Sequence, residues 1–411
     1  MDGHVHPDFV SVADRLREQL RVSSGGAAVC VYHRGRCVVD VWGGIRDRDG
    51  RPWQHDTMAP SYSTSKGVAA TLVHILVDRG LLDYEDRVAK HWPEFAQHGK
   101  GRITLRHVLA HQSGLYHIRQ MIDHADRMLD WEYMVHAIER AKPMHPPGAR
   151  TGYHGLTFGF LVGEILQRVT GRSFADLVHE ELVKPLQLDG MYVGAPEHAL
   201  PRAAELISDT PREWDPQWLL GQRLVRRALH QVGPALAFGA RLVGMQVDLT
   251  SLLDALAPRG ISSFDFGAEQ TLRVSIPAAN GLFTARSLAR MYAALAGGGQ
   301  LDGVRLLSSR TLARATEPQV EARERVVIPI DMRWRLGYHA VFTTRGVPYR
   351  GFGHFGFGGS GGWADPSRDL AVAMIVNSGI GTPFGDLRIA RISGAALAAA
   401  NQRERAARAA A

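Results

Sequence analysis

The order of strand-forming and helix-forming segments is the strongest constraint on this chain. Residues 27–33 and 36–42 are apolar and partly β-branched, and they flank Arg34-Gly35 as the two arms of a hairpin. Strand character returns near the other end, at 336–342, 361–364 and 370–376. Between them the periodicity is mostly helical. Strands at both ends and helices in the middle imply one sheet assembled from both chain ends, with a helical lobe inserted between. The hairpins make that sheet antiparallel. The expected class is therefore α/β in the α+β sense.

Helices are expected at 8–22, from Ser63 to Gly80, at 104–115 as a short helix ending in a turn, at 157–169, from the Ser173 cap to Leu182, at 285–296 and at 308–316. A final alanine-rich helix should fray after Ala400. No linker or repeat divides the chain, so residues 8–400 read as a single unit. Its sheet lobe takes 8–60 plus 285–400, and its helical lobe takes 61–284. Residues 195–280 mix arginines with Trp214, Trp218, Leu219, Leu220, Leu224, Val225 and Leu229, and read equally as a lid or as a packing insert. His4-Val5-His6 precedes the first expected strand and reads as an unstructured terminus.

Composition narrows the function classes. No run of 18 apolar residues is present, which argues against a membrane span, and the N-terminus lacks a basic region followed by an apolar one. A cytoplasmic protein is expected. Cys30 and Cys37 flank the hairpin turn and read as reduced strand thiols. The net charge is +7. It comes from arginine, since lysine occurs only at 66, 90, 100, 142 and 184. No like-charge block or basic–aromatic strip points to nucleic acid. The 19 histidines include no His-Glu-x-x-His, and no metal or other cofactor is called for. His107 and His111 stand four apart on an expected helix and read as capping or polar packing.

Three stretches carry chemistry. Ser63 and Lys66 are three apart at a helix start, which stacks a hydroxyl and an amine on one face. The backbone N–H groups of that first turn favour negative charge. A nucleophile, an amine and a positive pocket are the parts acyl transfer needs. Alone the pair is weak, since chance supplies a Ser-x-x-Lys in such a chain about one time in four. The second stretch is Tyr153-His154-Gly155, in a loop before a helix. A phenol can act as a base if a nearby cation lowers its pKa, and Lys66 would be that cation. The third is the glycine-rich run 353–363 beside a strand, whose backbone can approach a substrate and complete an oxyanion hole with the Ser63 N–H.

The ordered set Ser63-x-x-Lys66, Tyr153 and His354-x-Gly356 resembles the serine hydrolases of the class C β-lactamase and penicillin-binding-protein superfamily, nearest to their esterase branch, the family VIII carboxylesterases. Residues 105–115, 163–173, Gly358-Gly359-Ser360 and Ala364-Asp365-Pro366 extend the resemblance across residues 10–395. It implies a β-lactamase-like fold. It also implies Ser63 as the acyl-forming nucleophile, Lys66 as its proton partner, and Tyr153 as the base that then protonates the leaving group. His354 would replace the lysine that steadies the tyrosine and a substrate carboxylate. The Ser63 and Phe357 N–H groups, beside Gly356, would form the oxyanion hole.

Two departures bear on the substrate. Gly155 stands where the family often has Asn or Ser, so no side-chain amide is there to hold an acylamino group; restoring Asn is expected to favour β-lactams. His354 is not a permanent cation at neutral pH. Both remove handles for a β-lactam and leave attack on a simple ester intact. The expected function is a serine carboxylesterase acting on small-molecule esters of short to medium acyl chains. The alternatives are a β-lactamase or D-amino-acid peptidase of the same superfamily, an acyltransferase, or a non-catalytic ligand-binding member. Ser360 matches Gly-x-Ser-x-Gly, but no histidine follows it, so it reads as structural. His117, His124 and His154 are lesser candidates for substrate contact, and Trp363 is equally a pocket or a core residue.

Overall fold

Both ends of the chain meet in one seven-stranded sheet. The structure is a computed structural model and describes residues 1–208, 249–319, 324–328, 331–379 and 386–410. The strands are β1 (Asp2–Val5), β2 (Ala27–His33), β3 (Arg36–Gly43), β4 (His339–Ala340), β5 (Phe352–Phe355), β6 (Gly361–Asp365) and β7 (Leu370–Val376). Their spatial order is β1-β3-β2-β7-β6-β5-β4, antiparallel throughout. The seam between the two ends is the β2–β7 pair, which runs from Ala27 opposite Val376 to His33 opposite Leu370. Arg34 and Gly35 both have positive φ, 53° and 71°, as a tight two-residue hairpin that matches strand twist requires.

Every residue of β2 and β7 is buried, because the sheet is covered on both faces. Ala28, Cys30, Tyr32, Ala371, Ala373 and Ile375 face α4 (Ala285–Ala296) and the main core. Val29, Val31, Val372 and Met374 face the other way, onto α1 (Val10–Leu20) and α5 (Arg388–Ala410). Alanines on the α4 side let that helix approach closely. Trp363 belongs to the opposite layer, where its indole N–H donates to Ser393 Oγ at 2.8 Å, so it is a core residue. Cys30 and Cys37 are free thiols with Sγ atoms 3.7 Å apart.

The helix carrying Lys66, α2 (Ser65–Asp78), is buried from Ser65 through Val77. It is apolar all round and lies between α3 (Thr157–Thr170) and the sheet. Its few polar side chains are paired: Thr71 Oγ1 donates to Gly67 O at 2.7 Å, and His74 bridges Tyr84 Oη and Leu336 O.

Four expectations need correction. The N-terminus is ordered, since Asp2–Val5 pairs with residues 39–42 along the edge of β3; an edge strand adds through backbone hydrogen bonds, with no need of strand-forming side chains. Residues 336–342 contribute only two strand residues, because Gly337 has φ 76° and Arg335 N–H turns back to Tyr338 O. The helix at 105 ends at Leu109, and His111 has φ 59°, so His107 and His111 do not share a helix face. The last helix continues past Ala400 to Ala410. Of the region 195–280 read as a lid or insert, residues 209–248 lie outside the described residues; its far end forms the helix Leu249–Leu256. No described helix is long and apolar enough to cross a membrane.

Candidate active site

The turn that enters α2 is built around Ser63. A 3₁₀ turn over Tyr62–Thr64 precedes the α-helix, which starts at Ser65 and not at Ser63. Tyr62 is left-handed, φ 47°, a conformation that costs a bulky residue about 1 kcal/mol or more. The neighbours hold it there. Ser65 Oγ donates to Tyr62 O at 2.6 Å and accepts from Gly281 N–H at 2.8 Å. Ser61 N–H donates to Gly281 O at 2.9 Å. Ser65 and Gly281 thus brace the turn from inside, a role that sequence reading missed.

Two groups converge at the Ser63 hydroxyl. Lys66 Nζ lies 3.0 Å from Ser63 Oγ, and Tyr153 Oη donates to the same oxygen at 2.8 Å. The i, i+3 spacing brings the lysine, and the loop before α3 brings the tyrosine. Lys66 has two further partners, Gly155 O at 2.6 Å and Ala278 O at 3.0 Å, and no carboxylate among them. It is fully buried, and burial pulls its pKa well below the ordinary lysine value. A neutral amine fits this setting: two N–H bonds go to the two carbonyls and the lone pair faces Ser63 O–H. Nothing in sequence marks Ala278 or Gly155 as carbonyl acceptors, because every residue carries one.

Burial pushes the Tyr153 phenol above its ordinary value of 10.0, against a smaller opposing effect of its bond to Ser63. This departs from the expectation of a phenol made acidic by a lysine cation: desolvation drives both groups toward their neutral forms. Trp334 stacks on the Tyr153 ring at 5.6 Å, with 13° between planes, and His111 meets it edge-on at 5.0 Å. Neither was read from sequence as part of the site; both act by ring placement, which only the tertiary fold sets.

His354 stands on β5, with its ring 6.3 Å from that of Tyr153. It is buried, its Nδ1 bonds Phe355 O at 3.0 Å, and desolvation holds it well below the usual imidazole range. It is a neutral ring rather than a stand-in cation. Gly356 packs on the Ser63 turn: a Cβ there would stand 2.8 Å from Thr64 Oγ1 and collide with the Ser61 carbonyl. Only glycine lets the 356–360 loop come this close. Phe357 follows, half-buried, with its ring edge-on to Tyr62 at 5.6 Å.

The remaining candidates fall outside this cluster. Ser360 is buried, and its Oγ accepts from Val376 N–H at 3.1 Å, across the sheet. Both ring nitrogens of His154 are engaged elsewhere, Nδ1 with Gly152 O and Nε2 with Ser113 Oγ. His124 Nδ1 accepts from Asp126 N–H at 3.3 Å, and its ring sits against Gly260. His117 is buried.

Comparison with known proteins identifies the family. The family model described as Beta-lactamase matches residues 12–397. The chain is 38% identical over 357 residues to the esterase/beta-lactamase LipL of Mycobacterium tuberculosis, covering 86% of this chain and 77% of that protein. Among solved structures, a penicillin-binding protein homolog from Caulobacter crescentus superposes with a TM-score of 0.81 at 32% identity, over 97% of this chain and 99% of that one. A family VIII carboxylesterase superposes with a TM-score of 0.80 at 31% identity, with the same coverage. A family model matched over residues 12–397, a relative 38% identical over 86% of the chain, and a fold shared over 97% of it place the chain in the beta-lactamase family of serine hydrolases.

Proposed function

We propose that the chain is a serine carboxylesterase that cleaves small esters of short to medium acyl chains through a Ser63 acyl-enzyme. The observation that carries this is the placement of Ser63 Oγ within hydrogen-bond distance of both Lys66 Nζ and Tyr153 Oη. Relatives named esterase and carboxylesterase support it.

In acylation, neutral Lys66 takes the Ser63 proton as Oγ attacks the ester carbonyl. The ammonium so formed keeps three acceptors, so its charge is not left bare in the interior. Oxyanion charge is met by the Ser63 N–H in the first turn and by the Phe357 N–H, held near by Gly356. Tyr153 passes its phenol proton to the departing alkoxide and is reprotonated from Lys66, whose Nζ sits 5.0 Å from its ring centre. The net transfer is from Ser63 to the leaving alcohol. Water then enters by the reverse sequence. A fluorophosphonate probe followed by peptide mapping tests the assignment: Ser63 is the labelled residue, and label on Ser360 or no label refutes it.

The ester reading over the β-lactam reading gains support at Gly155. A Cβ there would run into the Leu256 side chain and stand 2.9 Å from Ala255 O. The space of a side-chain amide is filled by the helix Leu249–Leu256. This reverses the expectation that Asn at 155 favours β-lactams. Gly155→Asn is expected to destabilise the fold by about 1–3 kcal/mol, the usual cost of overpacking, without raising cephalosporin turnover. Thermal melting and a chromogenic cephalosporin read the two effects; a faster cephalosporin rate with unchanged melting counts against Leu256 as the block.

A further inference from the structure

Two aromatic residues lie at the Ser63 turn, Tyr62 within it and Phe357 on the loop packed against it, and the reaction above uses neither ring. Tyr62 directly precedes Ser63 and is half-buried, as is Phe357 beside the oxyanion donor. Their rings meet edge-on at 5.6 Å with 71° between planes. Phe266 backs Tyr62 at 5.3 Å, and Phe264 backs Phe266 at 4.9 Å, both buried. The chain holds Tyr62 in a left-handed backbone conformation and braces it through Ser65. Strain held at one residue by surrounding bonds is a mark of functional placement. Here the strained residue directly precedes half-exposed Ser63 in the chain.

We propose that Tyr62 and Phe357 form an aromatic subsite beside Ser63 that receives a flat, apolar part of the ester. The proposal rests on the ester-hydrolase reading and adds the substrate class. The two ring planes stand 71° apart, so a substrate ring that packs edge-on to one is offset against the other, and aromatic rings prefer both arrangements to face-to-face stacking. The four-ring wall is rigid, since Phe264 and Phe266 are buried behind it, so little side-chain freedom is lost when a substrate ring docks. A saturated chain of equal size would gain the apolar contact without the ring–ring part. The four side chains of the wall are themselves uncharged, which suits a neutral ester.

The test compares kcat/KM on two matched pairs. Benzyl acetate against butyl acetate probes the alcohol side, and methyl phenylacetate against methyl hexanoate probes the acyl side. The readout is the ratio of the aromatic to the alkyl ester, which does not depend on the folded fraction of a variant. Tyr62→Leu and Phe357→Leu, made separately, are each expected to lower that ratio about five- to tenfold on one of the two sides, the usual worth of one aromatic pair. The pair that responds tells which half of the ester the subsite holds. Unchanged ratios in both variants, with the wild type turning over the alkyl esters, overturn the subsite and leave the hydrolase reading standing. Failure of the wild type on all four esters overturns the hydrolase reading and the subsite with it.

Discussion

Lys66→Arg abolishes ester turnover, lowering kcat about 10³- to 10⁴-fold, toward the upper end of what a proton-transfer group contributes, with KM nearly unchanged. The substitution separates two roles that the geometry of a lysine beside a tyrosine permits. If Lys66 served as a fixed cation that makes Tyr153 acidic, arginine would preserve the charge and some activity. If it serves as the neutral base, arginine cannot replace it, because a guanidinium does not deprotonate in proteins. Its burial, with no carboxylate partner among the described residues, favours the second role. The same reading sets the pH profile. Activity needs the unprotonated amine, so kcat/KM rises with pH through the pKa of Lys66 in the folded protein. Burial has moved that pKa well below the ordinary lysine value of 10.5, so the rise comes at correspondingly lower pH. Lys66→Met provides the size-matched control, since it fills the site without charge. An arginine variant within tenfold of wild type, at a melting temperature equal to wild type, removes Lys66 from the base role.

How far the sequence could be read depends on the kind of interaction involved. The central strands were legible because burial on both faces demands unbroken apolar runs, and 27–33 and 370–376 supply them. The hairpin was legible because Arg34-Gly35 is short and bounded by such runs. Asp2–Val5 was not, since an edge strand is held by backbone groups that any sequence offers. The site divides in the same way. Ser63 and Lys66 stand three apart on one turn, and a resemblance tied Tyr153 to them. Gly281, Ala278 and Gly155 contribute through the backbone, and Trp334 and His111 through ring packing across long separations in the chain. No local pattern marks such residues. The direction of the two pKa shifts was also hidden, because it follows from burial, and the depth of Lys66 and Tyr153 is a property of the folded chain alone.

That depth extends to the histidines around the site, and acid stability should report it. His74, His154 and His339 each accept a hydrogen bond on one ring nitrogen and donate to a backbone carbonyl from the other. For His339 the donor is Phe355 N–H at 2.9 Å and the acceptor is Ala340 O at 2.7 Å. Tyr84 Oη and Ser113 Oγ can rotate to accept instead, but a backbone N–H cannot. Protonating His339 would therefore set two donors against each other inside the protein. Burial lowers the three groups from 6.5 to about 3 for His74, about 3 for His154 and about 4 for His339. The sign follows from proton binding. Below pH 6.5 the unfolded chain takes up protons that the folded chain refuses until about pH 3–4. Stability is thus intact above pH 6.5 and falls as the pH drops through that range. Each group costs about 1.4 kcal/mol per pH unit, so three together cost about 4 kcal/mol per unit. A domain stable by about 5–15 kcal/mol should then unfold cooperatively within a few pH units of neutrality. His339→Gln keeps an acceptor for Phe355 N–H without a titrating ring. Urea unfolding at pH 7 and pH 5 should show the wild type losing about 2 kcal/mol more than this variant between the two, less than the limiting slope allows because the unfolded imidazole is only partly protonated near pH 7. Equal losses would mean that the ring finds another way to carry its proton in the folded protein, and that the backbone bond to Phe355 does not fix its charge.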